Sequence, residues 1–174
     1  LGRCSSKSCS SRRKAYFKMS AAPLNTAITA AKLLNAAALE QYGGLAQATC
    51  VLVLLAAGKG TRFGAAPKCV QAVRGKPLAR HTIDNFRAVT NQPAIILTGY
   101  AHEEVVARLG PDNLYVLSAN TTGGTAWAAF EALFVPGLLD RNPLLLISMG
   151  DRIIPTSTIQ ELLATYTTPD EAAL

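Results

Sequence analysis

CVLVLLAAGKGTRFGAAPK, residues 50–68, joins an apolar run to a turn of small and basic residues. Cys50 to Leu55 is unbroken by any polar side chain, the pattern of a strand covered on both faces of a parallel sheet. It stops at Ala56, Ala57, Gly58 and Gly60. Their small or absent side chains let the backbone turn sharply and bring its N–H groups against a ligand. Lys59, Arg62 and Lys68 set positive charge around that bare backbone. Small residues and fixed cations directly after a buried strand suit phosphates held at the carboxyl edge of a sheet.

The string Leu55-Ala56-Ala57-Gly58-Lys59-Gly60-Thr61-Arg62, followed by Pro67-Lys68, resembles the signature loop of the sugar-phosphate nucleotidyltransferases. The likeness is to the N-acetylglucosamine-1-phosphate uridylyltransferase-like branch and the MobA-like NTP transferase domain. The spacer Phe63 to Ala66 is one residue shorter than in those uridylyltransferases. A glycine-rich turn after a strand is common by itself, and the competing reading is the turn of a dinucleotide-binding Rossmann unit. That turn wants its third glycine three residues after the second, whereas Gly64 is four after Gly60. It also wants an acid at the tip of the second strand. The next apolar run, Ala94 to Thr98, leads into Gly99-Tyr100-Ala101-His102, and the first acid is Glu103.

A chain of 174 residues with 49% hydrophobic and 16% charged side chains can bury one real core, so one α/β domain is expected. The net charge of +6 is uneven, since Leu1 to Leu39 holds seven basic residues and no acid, and the remainder ten basic against eleven acidic. The high charge therefore belongs to the amino-terminal segment and is a poor argument for nucleic-acid binding by the folded part. Cys4, Cys9, Cys50 and Cys69 form no CxxC pair and have no histidine at metal-ligand spacing, which favours a reduced compartment. Cys50 and Cys69 read as small packing residues. No apolar run approaches the length of a membrane span.

Along the chain, residues 1–18 are rich in Ser and basic side chains and are expected to be a disordered tail. Met19 is a candidate start. A translated leader or an organellar targeting segment also fits this composition, so a cytoplasmic location is expected with an organellar one as the alternative. Asn25 to Tyr42 is Ala- and Leu-rich and is expected to be a helix closed by Gly43-Gly44, giving a helical lead-in over residues 19–44. Residues 45–174 are then the catalytic domain. Val70 to Val73 reads as a short extended piece and Gly75-Lys76-Pro77 as a turn. Pro77 to Val89 reads as a helix with Leu78, Thr82, Phe86 and Val89 inward, and its lone His81 as solvated or packed. Ala94–Thr98 and Leu114–Leu117 read as strands around a helix from Glu103 to Leu109. Leu144–Ser148 reads as a buried strand, followed by a helix from Pro155 to Tyr166. Strands alternating with helices predict a doubly wound, mostly parallel α/β sheet, and the resemblance makes this the Rossmann-like nucleotidyltransferase fold of the nucleotide-diphospho-sugar transferase type. Glu171 to Leu174 reads as the opening of another strand, so the chain is expected to be the amino-terminal half of that fold.

Two further stretches carry chemistry. Ser118 to Trp127, SANTTGGTAW, sets polar residues and two glycines between a strand and a helix. It resembles the family's base-recognition loop. Gly124-Thr125 matches the pair that reads the nucleobase there, while Ser118, Asn120 and Thr121 stand where that family places glutamines. A plain strand-to-helix turn is the alternative. Asp151, after Met149-Gly150, sets a carboxylate at a strand tip suited to Mg²⁺. A turn or N-cap aspartate is the bland alternative, and the resemblance, which has a metal-binding Gly-Asp here, favours the metal.

The resemblance implies transfer of a nucleoside monophosphate from a nucleoside triphosphate to a sugar 1-phosphate or similar phosphorylated alcohol, with release of pyrophosphate. It implies Mg²⁺ as cofactor. Charge builds on the phosphate oxygens during such a transfer, and fixed cations answer it without any nucleophilic side chain. Arg62 is expected on the β- and γ-phosphates, Lys68 on the α-phosphate and Asp151 on the metal. Leu55 through Thr61, with Ser118, Asn120, Gly124 and Thr125, are expected to hold the nucleotide. A nucleotide-sugar-binding regulatory subunit on the same fold is the second reading, and a dinucleotide-binding domain the third. No nucleic-acid or membrane partner is expected; a homo-oligomer is left open.

Overall fold

The computed structural model describes residues 32, 33, 45, 48–58, 66–118 and 124–166. The longest described strand is β2, Cys50–Ala56, buried along its whole length. After it come a 3-10 turn, Lys68–Val70, and the small strands β3, Ala72–Val73, and β4, Lys76–Pro77. Helix α1 spans Leu78–Thr90, strand β5 Ala94–Thr98, helix α2 His102–Leu109 and strand β6 Leu114–Leu117. Helix α3 covers Gly124–Ala132 and the single turn α4 Leu138–Arg141. Strand β7, Leu144–Met149, and helix α5, Thr156–Tyr166, complete the described part.

The main sheet runs in the order β1-β6-β5-β2-β7, with β1 at Lys32–Leu33. The four longer strands are parallel: β5 pairs with β6, and β2 with both β5 and β7. Alternation along β2 feeds two cores. Leu52, Leu54 and Ala56 join Ile83 and Phe86 of α1, Val105 and Leu109 of α2 and Ile159 of α5. Val51, Val53 and Leu55 join Ala132 of α3, Val135 and Leu138. Helices on both faces make the sheet doubly wound, as expected for strands that read as continuous apolar runs.

Elements end where the local chemistry stops them. Helix α1 closes on Asn91 in the left-handed region, with its N–H on the Arg87 carbonyl at 3.1 Å, a cap that asparagine tolerates better than most residues. Helix α2 carries Glu103 and Glu104 in its first turn and Arg108 in its last, each matching the helix dipole, and stops at Gly110, φ +88°. The expected turn at Gly75-Lys76-Pro77 is instead the second half of a hairpin. Arg74 and Gly75 both have positive φ, the two-residue type I′ geometry that matches strand twist, and Val73 pairs with Lys76.

Two expectations are corrected. Lys32 and Leu33 are extended and pair antiparallel with Leu117 and Val116 of β6, rather than lying in a helix from Asn25 to Tyr42; the rest of that stretch lies outside the described residues, as does the expected tail at 1–18. An Ala- and Leu-rich composition is a weak prior, and the open edge of β6 offers backbone partners that override it. Strand β7 is not buried on both faces. Among the described residues it is the sheet edge beside β2, and Ile147 and Met149 are 47% and 42% exposed.

Candidate active site

Strand order reverses at β2. The chain moves outward from β2 through β5 to β6, then crosses back to place β7 on the other side of β2. The crevice outside the carboxyl ends of the strands at such a reversal is where open α/β sheets bind ligands. A pocket of about 140 Å³ opens there, lined by Leu55, Ala56 and Gly58 after β2, Lys68 and Cys69 on the 3-10 turn, and Met149 and Asp151 after β7. A second hollow of about 170 Å³ lies beside it. Leu55, Ala57, Gly58 and Met149 form one wall and Gly124, Thr125 and Ala128 of α3 the other.

The first pocket is the charged one. The Lys68 ammonium stands 3.8 Å from the Asp151 carboxylate, with each side chain about one-third exposed. That separation is too long for a hydrogen bond, and a pair so open to water adds little stability. Gly150 makes the approach of β7 to β2 close. Its N–H reaches the Leu55 carbonyl at 2.9 Å, and a β-carbon there would sit 3.1 Å from that of Cys69 and 3.2 Å from that of Ala56. Cys69 is buried and unoxidised, as is Cys50, so both are the packing residues expected. Burial pushes the Cys69 thiol up to about 11, and the charge of Asp151 adds to the shift, which leaves it protonated and unreactive at neutral pH.

The second hollow is lined by apolar Leu55, Ala57, Ala128 and Met149 with the Thr125 side chain as its polar group, the mixed lining common in small-molecule sites. The loop between β5 and α2 stands near both. Tyr100 donates its N–H to the Ala57 carbonyl, at 3.3 Å, and Ala101 is held at φ +50°, a backbone strain of about 1 kcal/mol for a residue with a β-carbon.

Of the residues expected from sequence, Leu55, Ala56, Ala57, Gly58, Lys68, Gly124, Thr125 and Asp151 line one or both pockets. Ser118 lines neither; it is buried at the end of β6, donates its N–H to the Thr98 carbonyl at 2.7 Å, and its hydroxyl has no hydrogen-bond partner among the described residues. Lys59, Gly60, Thr61, Arg62 and Asn120 lie outside the described residues. Cys69, Ala128 and Met149 were not expected in the site. Ala128 lies one helical turn beyond Thr125, and Met149 two positions before Asp151, so spacing alone marked both. His81, expected to be solvated or packed, is partly buried with its Nε2 2.9 Å from the Val73 carbonyl of the hairpin.

A divalent cation suits this donor set. Among the described residues no three His, Cys, Asp or Glu side chains gather as a metal cage, and Asp151 is the lone carboxylate lining the first pocket. Mg²⁺ in nucleotide sites is commonly held by one or two carboxylates together with the substrate phosphates and water, and Asp151 supplies one such carboxylate to this pocket.

Residues 52–174 match the MobA-like NTP transferase domain. The chain belongs to that family. Over 125 residues it is 33% identical to the bifunctional protein GlmU of Cellvibrio japonicus (strain Ueda107) and 34% identical to that of Pseudomonas aeruginosa (strain LESB58). Both alignments cover 71% of this chain but only 27% and 26% of the relatives, so the chain spans about a quarter of their length. The fold is similar to that of Rv0371c from Mycobacterium tuberculosis H37Rv, with a TM-score of 0.56 at 22% identity, over 68% of this chain and 60% of that one. A homologue of Rv0371c from Mycobacterium sp. strain JC1 gives 0.55 at 26% identity, over 67% and 58%. Rv0371c has also been solved as a complex with manganese.

Proposed function

We propose that this domain holds the nucleoside triphosphate in an enzyme that transfers a nucleoside monophosphate to a sugar 1-phosphate or a similar phosphorylated alcohol. The observation that carries the reading is the pairing of Lys68 and Asp151 across a pocket at the strand-order reversal. On this reading the acceptor phosphate oxygen attacks the α-phosphorus, a new P–O bond forms, and the bond to the β-phosphate oxygen breaks to release pyrophosphate. Lys68 meets the charge that grows on the α-phosphate oxygens, and Arg62 takes the β- and γ-phosphates. The bare backbone from Leu55 to Thr61 is assigned to the phosphates. Gly124 and Thr125, which line the second hollow, are assigned to the base.

Asp151 would hold Mg²⁺, which when bound neutralises phosphate charge and aligns the attacking and leaving oxygens. The manganese found with Rv0371c supports a divalent metal. We assign residues 45–174 to the transferase domain. No helix among the described residues is long and apolar enough to cross a membrane.

Titration of nucleoside triphosphate into the wild-type and Asp151→Asn proteins, with and without Mg²⁺, tests the assignment. Asn keeps the shape and removes the charge, so the variant should lose most of the Mg²⁺ enhancement of binding while keeping its fold. Equal Mg²⁺ enhancement in both proteins would reduce Asp151 to a turn residue.

A further inference from the structure

Asp151 follows an anchored residue and precedes another. On one side, the Gly150 N–H is held by the Leu55 carbonyl at 2.9 Å, and a β-carbon there would sit a tight 3.1 Å from that of Cys69. On the other, Thr82 of α1, fully buried, takes hold of the segment that leaves the site. Its hydroxyl donates to the Arg152 carbonyl at 2.7 Å and accepts from the Ile154 N–H at 3.0 Å. One helical turn on, Asn85 donates its side-chain N–H to the Ile154 carbonyl at 2.8 Å. Three hydrogen bonds thus tie two adjacent turns of one helix to residues 152–154. The chain has no regular structure of its own there, since β7 ends at Met149 and α5 begins at Thr156.

We infer that Thr82 and Asn85 are positioning residues for Asp151, fixing where its carboxylate meets the metal and nucleotide. This rests on the proposed metal role of Asp151. A carboxylate that must share a small cation with phosphate oxygens has to be placed within a few tenths of an ångström, and Asp151 sits on a turn, whose Arg152 N–H meets the Met149 carbonyl at 3.2 Å. A turn tethered at its start alone can pivot. The Thr82 hydroxyl uses both its donor and acceptor capacity on that turn's exit, so a same-sized apolar side chain would take away the partner of the Arg152 C=O and of the Ile154 N–H at once. Partners that orient a metal ligand without touching the metal commonly alter metal affinity about 10- to 100-fold when removed.

The test uses Thr82→Val, which keeps the shape without the hydroxyl, Thr82→Ser, which restores it, and Asn85→Ala, a milder change in case Thr82→Val does not fold. Asp151→Asn is the reference. Each of the four ribonucleoside triphosphates is presented with Mn²⁺, bound metal is read by electron paramagnetic resonance, and melting temperature is recorded alongside. Whichever of Thr82→Val and Asn85→Ala folds should bind Mn²⁺ in the presence of triphosphate about tenfold more weakly, with Thr82→Ser close to wild type. A folded variant with wild-type Mn²⁺ affinity, beside a weakened Asp151→Asn, would overturn the positioning role and leave the transferase reading standing. Wild-type affinity in Asp151→Asn as well would overturn both.

Discussion

Lys68 and Cys69 are neighbours in sequence with opposite environments. The Lys68 side chain reaches the pocket one-third exposed, so its removal should cost catalysis far more than stability. Lys68→Ala in the complete enzyme should lower turnover by roughly 10² or more, while the melting temperature barely moves; unchanged turnover would remove Lys68 from the site. Cys69 is the reverse case. Its thiol is pushed by burial, and then by the charge of Asp151, from the ordinary 9.0 to about 11. The folded chain therefore holds this proton more tightly than the unfolded one. The resulting stability is intact below about pH 9 and is lost as pH rises through about 11. Unfolding of wild type and Cys69→Ala by urea at pH 8 and pH 11 should show the wild-type advantage shrinking by on the order of 2 kcal/mol. An advantage independent of pH would mean the thiol is not buried in solution. At pH 8 the native protein should also resist alkylation at this thiol.

Helix α1 joins the site to the rest of the molecule because each of its sides has a different partner. Ala79, Ile83 and Phe86 enter the core, Thr82 and Asn85 hold the segment after Asp151, and a third row binds charge. Lys76 and Arg80 share Asp84, at 2.6 and 2.8 Å. Arg80 continues to Asp112 at 3.1 Å and to the Leu109 carbonyl at 2.8 Å, and Arg87 adds bonds to Asp112 and, at 2.9 Å, to Asn113. This chain of charges fastens the β3–β4 hairpin to the helix and the helix to the α2–β6 loop. Burial works against the ionised form of Asp112, but the hydrogen bond from Arg80 and the charges of Arg87 and Arg80 outweigh it, so its pKa lies below the ordinary 3.8. A depressed folded pKa means stability present above the unfolded value and lost as pH falls through the folded one. Asp112→Asn should therefore destabilise the protein at pH 7 by about 1 kcal/mol, a figure reduced for solvent screening, and by progressively less as pH falls below about 4. A penalty that persists undiminished at pH 2 would show that shape, not charge, holds this loop.

For the molecule as a whole, charge and fold are separate. Residues 1–18 carry six basic side chains and no acid, so removing them takes the formal net charge from +6 to zero. Electrostatic affinity for polyanions follows such clustered charge. The whole chain should be retained on heparin at low salt and a chain beginning at Met19 should not, with nucleotide binding unaltered. Retention of the shortened chain would reveal a basic surface on the transferase domain itself.

Sequence alone determined the repeating elements and half of the site. Ala94–Thr98 and Leu114–Leu117 are strands with the expected bounds, because an unbroken apolar run between polar turns has few other ways to satisfy its backbone. Lys68 was read from the demand for fixed charge beside a bare turn and Asp151 from the family resemblance, and the structure brings both to one pocket. Tertiary structure decided the rest. Nothing local to Lys32 and Leu33 says that they complete a sheet edge at Val116 and Leu117, far along the chain, since the backbone groups that extend them belong to β6. Nor does the apolar run of β7 reveal that Ile147 and Met149 face water, for burial depends on what packs above. Thr82 shows the limit most clearly. Helical spacing places it among inward apolar residues, and it does point inward, but its hydroxyl is satisfied by backbone 70 residues away, which only the packing of α1 against the exit from β7 brings within reach.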